Sequence, residues 1–143
     1  MEKDEIKNTG FQIKAIELLD YVLNAPKQPL QNNPVFKYDI QLQQRINNEK
    51  NLVIVLCGVS IFDESKNQNY GKIKVSCIYE VPKLKSFSDN NTNQVSFPEQ
   101  FINTLNSASI STTRGIAFSL FRGTFLHNAI IPVIDPAAFK KSE

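Results

Sequence analysis

Residues 52–62, LVIVLCGVSIF, hide apolar side chains at odd and even positions alike. A run of this kind is expected as an interior strand covered on two sides, and an interior strand needs a hydrogen-bonded neighbour along each edge. Two neighbours flank it in sequence. In VFKYDIQLQQRI, the residues Phe36, Tyr38, Ile40 and Leu42 alternate with polar ones, as a half-buried strand requires. KIKVSCIYEV places Ile73, Val75, Cys77, Tyr79 and Val81 on one face. NNEKN and DESKNQNY are the polar turns between them.

A fourth strand comes first. In FQIKAIELLDYVLN (11–24) the apolar parity slips from Phe11, Ile13 and Ala15 to Ile16 and Leu18, then back to Tyr21 and Leu23. Such a slip predicts a bulge. APKQPLQNNP (25–34) follows, with three prolines; it is too long and too irregular for a tight hairpin and predicts a crossover. After Pro82 the period changes. S-F-P-E at 96–99 reads as a capping box, with Ser96 as N-cap and Pro98 in the first turn. Phe101, Leu105, Ala108, Thr112, Ile116 and Leu120 then recur at helical spacing, in one long helix or two short ones broken near Ser107–Ser111. The middle, NSASISTT, is rich in small side chains. Leu105, Ala108, Thr112 and Ile116 are therefore expected to face a second copy of the chain. Arg122 in the last turn and Gly123 in a left-handed cap are expected to end the helix, and Pro132 and Pro136 prevent its resumption.

These elements predict one α+β domain over residues 1–143: a four-stranded antiparallel sheet with a long C-terminal helix packed on it, and flexible ends at 1–10 and 140–143. Hydrophobic residues at 41% suffice for one core, and 16 basic against 14 acidic residues give a net charge of only +2. The longest basic run is Lys140-Lys141, so no nucleic-acid footprint is visible. The apolar run Leu52–Cys57 is too short to span a bilayer, and MEKDEIKNTG lacks the apolar centre of a signal peptide, so a cytoplasmic protein is expected. Cys57 and Cys77 lie in strand segments without metal-ligand spacing and are expected as buried, reduced thiols; no metal or cofactor is called for.

Catalytic chemistry is sparse. His127 is the only histidine, and Ser111, Ser119 and Asp135 are the nominal triad partners, but no G-x-S-x-G elbow frames either serine. The five glycines never cluster into a phosphate loop. No enzyme is expected. What the chain carries instead is surplus apolar surface: Phe121, Phe125, Leu126, Ile130, Ile131, Val133, Ile134 and Phe139 crowd a segment without periodicity, and the crossover adds Leu30, Val35 and Phe36. Such surplus marks an interaction or oligomer surface, and a groove for extended polypeptide fits it.

Several local stretches carry a family resemblance. F-Q-I opens the first strand, N-A-P (Asn24–Pro26) ends it, and R-G-T-F (Arg122–Phe125) is followed by Pro132-Val133 and then A-x-F at Ala137–Phe139. In this order, across residues 11–139, the chain resembles SecB, the bacterial protein-export chaperone. The resemblance implies a dimer of dimers with helices packed between the dimers, and ATP-independent holding of unfolded polypeptides, including preproteins for translocation. It further implies that Leu30, Val35, Phe36, Phe125, Leu126, Ile131, Val133 and Phe139 line or cover the client groove. SecA is the partner it implies for export, although the acidic elements and second helix that dock SecA in the family are reduced here. The alternatives are a dedicated SecB-like chaperone of one partner, such as an antitoxin, and a small interaction adaptor. A ligand-binding or hydrolytic protein using His127 is the most distant reading.

Overall fold

The computed structural model describes residues 10–88 and 95–135. Phe139, the A-x-F match, Pro136, residues 1–9 and 140–143 lie outside the described residues. Within them the chain forms β1 (Gln12–Leu23), β2 (Lys37–Asn47), β3 (Leu52–Phe62), β4 (Asn69–Glu80), a short 3-10 helix at Leu84–Phe87 and one α-helix, α1 (Glu99–Phe121). All pairings are antiparallel, in the order β1-β4-β3-β2. The 25–34 segment therefore crosses from one edge of the sheet to the other, and the apolar run at 52–62 is the interior strand its sequence demands.

The register settles which side chains share a face. Tyr38, Ile40, Leu42 and Gln44 pair with Ile61, Val59, Cys57 and Val55, which sit beside Gly71, Ile73, Val75 and Cys77. α1 lies across β3 and β4 on this face and seals the core. Val53, Val55, Cys57, Val59, Ile61, Ile73, Val75, Cys77 and Tyr79 are all buried beneath it. Each large aliphatic or aromatic side chain removed from water there contributes roughly 1.5–3 kcal/mol. On the opposite face of β3, Leu56 is buried, but Leu52, Ile54 and Phe62 are only half covered. The expected cover on two sides is complete on the helix side alone.

β1 departs from register between Ile13 and Ala15 and again between Leu18 and Asp20. The parity slip in the sequence is thus two irregularities, and they keep Ile13, Ile16, Leu18 and Tyr21 on the helix side opposite Tyr79, Cys77, Val75 and Ile73.

α1 is continuous over 23 residues despite its poor helix formers. The hydroxyls of Thr104, Ser109, Thr112 and Thr113 each donate to the carbonyl four residues back, at 2.8–2.9 Å. That satisfies polar groups the helix must bury, and packing on the sheet supplies the stability that propensity does not. Ser109 and Thr113 are wholly buried against the chain's own strands. These two small residues bring the helix close to its own sheet.

The capping box does not form. Ser96 is held by its amide to the Phe87 carbonyl at 2.9 Å, beside a bridge between Ser88 and Val95. The chain therefore stays extended through Pro98, which is the N-cap and whose carbonyl accepts from Phe101 and Ile102. Phe87, Phe97 and Phe101, with ring centroids 5.1–5.5 Å apart, pin this entry instead. At the other end Gly123 takes φ +76, the left-handed conformation expected of it. Arg122 is the C-cap itself, outside the last turn, with its guanidinium 5.5 Å from the Phe118 ring centroid.

Candidate functional site

α1 divides the inner face of the sheet into two flanks. Toward β1, Phe101 meets Phe11 edge-on at 5.5 Å, and the Tyr21 hydroxyl donates to the Leu120 carbonyl at 3.1 Å. Between these contacts the helix presents Ala108, Thr112 and Ile116, all half-buried. Opposite them, on β1, Ile13, Ile16 and Leu18 are each 46% exposed and the bulged Leu19 is 49% exposed. Among the described residues, five of the ten exposed large apolar side chains belong to β1, and no strand lies beside its outer edge. Leu105 does not share this flank. It is wholly buried, its carbonyl accepts from Tyr79, and it is therefore unavailable to a second copy.

The flank toward β2 is built differently. Gln44 of β2 donates to Asn106 of α1 at 2.7 Å, bridging sheet and helix near the helix start. Further along, residues 129–132 lie between the two elements. The Tyr38 hydroxyl is hydrogen-bonded with the backbone of Ile130, and Arg114 donates from Nε to the Ile131 carbonyl at 2.7 Å and from Nη2 to the Pro132 carbonyl at 2.9 Å. Burial raises the Tyr38 pKa, and the Ile130 backbone bond opposes that shift. An open trough of about 1130 Å³ adjoins this flank, lined by Ile40, Leu42 and Gln44 of β2 and Ile102 and Asn106 of α1. It continues round the β2 edge to Asp39, Gln41, Gln43, Gly58, Lys72 and Lys74 on the far face.

The two flanks meet at the crossover end of the sheet. Tyr70 stands between Phe36 and Phe125, edge-on to both with centroids at 6.1 and 6.3 Å. Phe36, Phe125 and Leu30 are half-buried there, whereas Val35 and Val133 are exposed, Val133 at 91%. Of the expected groove residues, Leu126 and Ile131 are core residues. A Cβ placed on Gly71 would lie 3.0 Å from both Leu126 Cδ1 and the Val22 carbonyl oxygen, so glycine at 71 gives Leu126 room at the sheet end. The structure thus gathers Phe36, Tyr70 and Phe125 into one aromatic wall, and Leu30 packs against the core as a half-buried residue.

Beneath the helix sits a small polar cluster. The Tyr79 hydroxyl pairs with Ser109 Oγ at 2.8 Å and donates to the Leu105 carbonyl at 3.3 Å. Burial holds its proton well above the ordinary value of 10.0, against the opposing pull of Ser109. Cys57 and Cys77 are free, buried thiols on adjacent strands. Burial pushes both up, opposed by hydrogen bonds with Thr113 and Ser109 respectively. Buried thiols with raised pKa are poor nucleophiles. His127 is exposed, and its Nδ1 accepts from the Gly123 amide at 3.3 Å. Ser111 accepts from Arg114 at 3.4 Å, and Ser119 is exposed on the outer side of α1. Among the described residues no cluster of three His, Cys, Asp or Glu side chains could hold a metal, and no helix is long and apolar enough to cross a membrane.

No protein-family model matches the sequence, and no curated protein matches it. Among solved structures, the chain is similar to a SecB-like chaperone of Mycobacterium tuberculosis, solved in complex with a ChAD peptide from the HigA1 antitoxin. The TM-score is 0.56 at 11% identity, over 87% of this chain and 89% of that one. The fold is SecB-like.

Two features escaped the sequence pattern. The exposed apolar side of β1 was visible only as a parity slip; its signal was the crowding of Ile13, Ile16, Leu18 and Leu19 with a single lysine, Lys14, among them. Arg114 gave no signal, because its partners are main-chain carbonyls 17 and 18 residues away.

Proposed function

We propose that the protein is an ATP-independent holdase that binds unfolded or non-native polypeptides in extended form. The observation that carries this reading is the shared fold with a SecB-like chaperone solved around a peptide, joined to an open trough and aromatic wall beside α1. An extended chain is recognised by main-chain contacts and by pockets for alternate side chains, and walls of this composition suit it. The client groove runs from Leu30, Phe36 and Phe125 toward the trough. Handing clients to SecA for export is one finer form of this role. The other is a dedicated chaperone of a single antitoxin-like partner, and it is favoured because the similar structure holds an antitoxin peptide. No catalysis is part of the proposal: His127 acts as an acceptor in the turn after α1.

A second copy of the chain is the proposed cover for the β1 flank. Ile13, Ile16, Leu18 and Leu19, with Ala108, Thr112 and Ile116, form an apolar strip along an unpaired edge, a liability that an isolated subunit would carry as an aggregation site. Pairs of such dimers would then meet through the outer side of α1, where Phe118 is exposed.

Titration of the chain with a reduced and alkylated, permanently unfolded protein tests the role. Saturable binding by several unrelated unfolded chains supports a general holdase. Binding confined to one partner supports the dedicated form, and indifference to all of them refutes both.

A further inference from the structure

Ala129–Pro132 belong to no regular element, yet they are held as a bound peptide is held. Ala129 and Ile131 are 2% and 1% exposed, while Ile130 between them is 54% exposed. That alternation is how an extended chain presents itself to a slot, every second side chain going in. The polar contacts that fix it are to main chain: Tyr38 to the Ile130 backbone, and the Arg114 guanidinium to the carbonyls of Ile131 and Pro132. A guanidinium that grips two successive carbonyls reads backbone, not sequence. Any extended chain with small or aliphatic side chains at alternate positions can make the same contacts.

The slot also continues. Tyr38, Ile40, Leu42 and Gln44 follow one another along β2, and Asn106, opposite Gln44, lies two turns before Arg114 on α1. From Ile130 at Tyr38 to Pro132 at Arg114 the segment heads toward the end of the open trough lined by Ile40, Leu42 and Gln44 of β2 and Ile102 and Asn106 of α1; the rest of the trough runs over β3, β4 and the far face of β2. One end of a longer site is occupied and the rest is open.

We propose that the slot between α1 and β2 is a single binding site for extended polypeptide, filled at one end in the free protein by its own Ala129–Pro132, which a client displaces. The inference deepens the holdase reading and rests on it for the identity of the client. Its consequence is quantitative. A tethered internal occupant lowers the apparent affinity of any client in proportion to the fraction of molecules in which the segment is out.

The test weakens the occupant and spares the slot. Ile131→Ser in the full chain removes the buried anchor but leaves Tyr38, Arg114 and the trough in place. A fluorescein-labelled peptide NAIIPVID, residues 128–135, is expected to bind this variant at least about tenfold more tightly than the wild type. Adding Arg114→Ala is expected to abolish the gain. If Ile131→Ser loses its cooperative melt, Ile131→Val and Ile131→Ala replace it, with peptide affinity expected to rise as the side chain shrinks. Equal peptide affinity in wild type and folded variants overturns the proposal, as does a gain that survives Arg114→Ala. An unfolded protein that binds both forms alike, while the peptide shows no preference, removes the internal occupant and leaves the holdase reading intact. A peptide preference without any binding of unfolded protein keeps the slot and removes the holdase reading.

Discussion

The two flanks of α1 rest on the same sheet but are finished in different ways. Toward β2 the helix is bridged by Gln44 and Asn106 and closed in part by residues 129–132 under Arg114. Outward, β2 shows charged and amide side chains, Lys37, Asp39, Gln41, Gln43, Arg45 and Asn47, and on its helix side Ile46 is its one exposed large apolar residue. Toward β1 no segment among the described residues covers the strip, and the edge strand carries exposed isoleucine and leucine. A polar edge is compatible with standing in water; an apolar one calls for a permanent neighbour. On the proposed reading the flanks have separate tasks: assembly at β1 and exchange of polypeptide at β2.

The largest effect is expected where that distinction is sharpest. Ile16→Asp with Leu18→Asp places two carboxylates in the surface proposed to meet a second copy. Burying unpaired carboxylates costs several kcal/mol, about a thousandfold or more in the dissociation constant. Sedimentation is expected to show the doubly substituted chain as a monomer, and Gln41→Asp with Gln43→Asp on β2 as unchanged in size. Equal behaviour of the two pairs would erase the contrast between the edges.

Between the flanks, Tyr79→Phe removes the hydroxyl that joins Ser109 and the Leu105 carbonyl. A loss of about 1–2 kcal/mol is expected in urea unfolding, chiefly from the polar groups left without a partner. The same residue sets an alkaline limit. Unfolded, Tyr79 releases its proton near 10.0; folded, burial retains it, so the native state binds more protons above that pH. Its contribution is complete below 10.0 and is lost progressively as pH rises. Cys57 and Cys77 add to the loss from 9.0 upward by the same reasoning. Wild type is therefore expected to lose stability faster than Tyr79→Phe between those values and strongly alkaline pH; parallel curves would contradict this.

Smaller effects are expected at the turn that launches the internal segment. Gly123→Ala forces a side chain to φ +76 and should cost about 1–2 kcal/mol locally. It should also speed hydrogen exchange at the amides of 129–131 while leaving β1 untouched. His127→Gln loses only an exposed 3.3 Å contact and should stay within about 0.5 kcal/mol of wild type. A large loss there would restore His127 as a functional residue.

Much of this architecture was legible from residues 52–62, from the parity slip at Ile16 and from Gly123, because each imposes a local rule that packing then obeys. The capping box at Ser96 was misread because three phenylalanines and a short bridge decide where the chain enters α1, and contacts of that kind leave no local pattern. Small residues in α1 permit close approach, but nothing in their spacing tells that Ser109 and Thr113 are the ones buried against the chain's own sheet. An apolar residue without periodicity reads the same whether it stays half-buried beside Tyr70, as Phe125 does, or fills the core, as Leu126 does. Arg114 lay beyond reach for the reason that gives it interest, since it recognises main chain.

Isotherms of the assembled wild-type protein with a reduced and alkylated unfolded chain, followed by hydrogen exchange of the complex, test the division of tasks most directly. Saturable binding on the order of micromolar, indifferent to ATP, is expected. Altered exchange should fall on β2 and the amides of 129–131, with β1 unchanged. Absence of binding at millimolar concentration by a protein that still melts cooperatively would contradict the holdase role. Protection confined to β1 would contradict the assignment of the flanks.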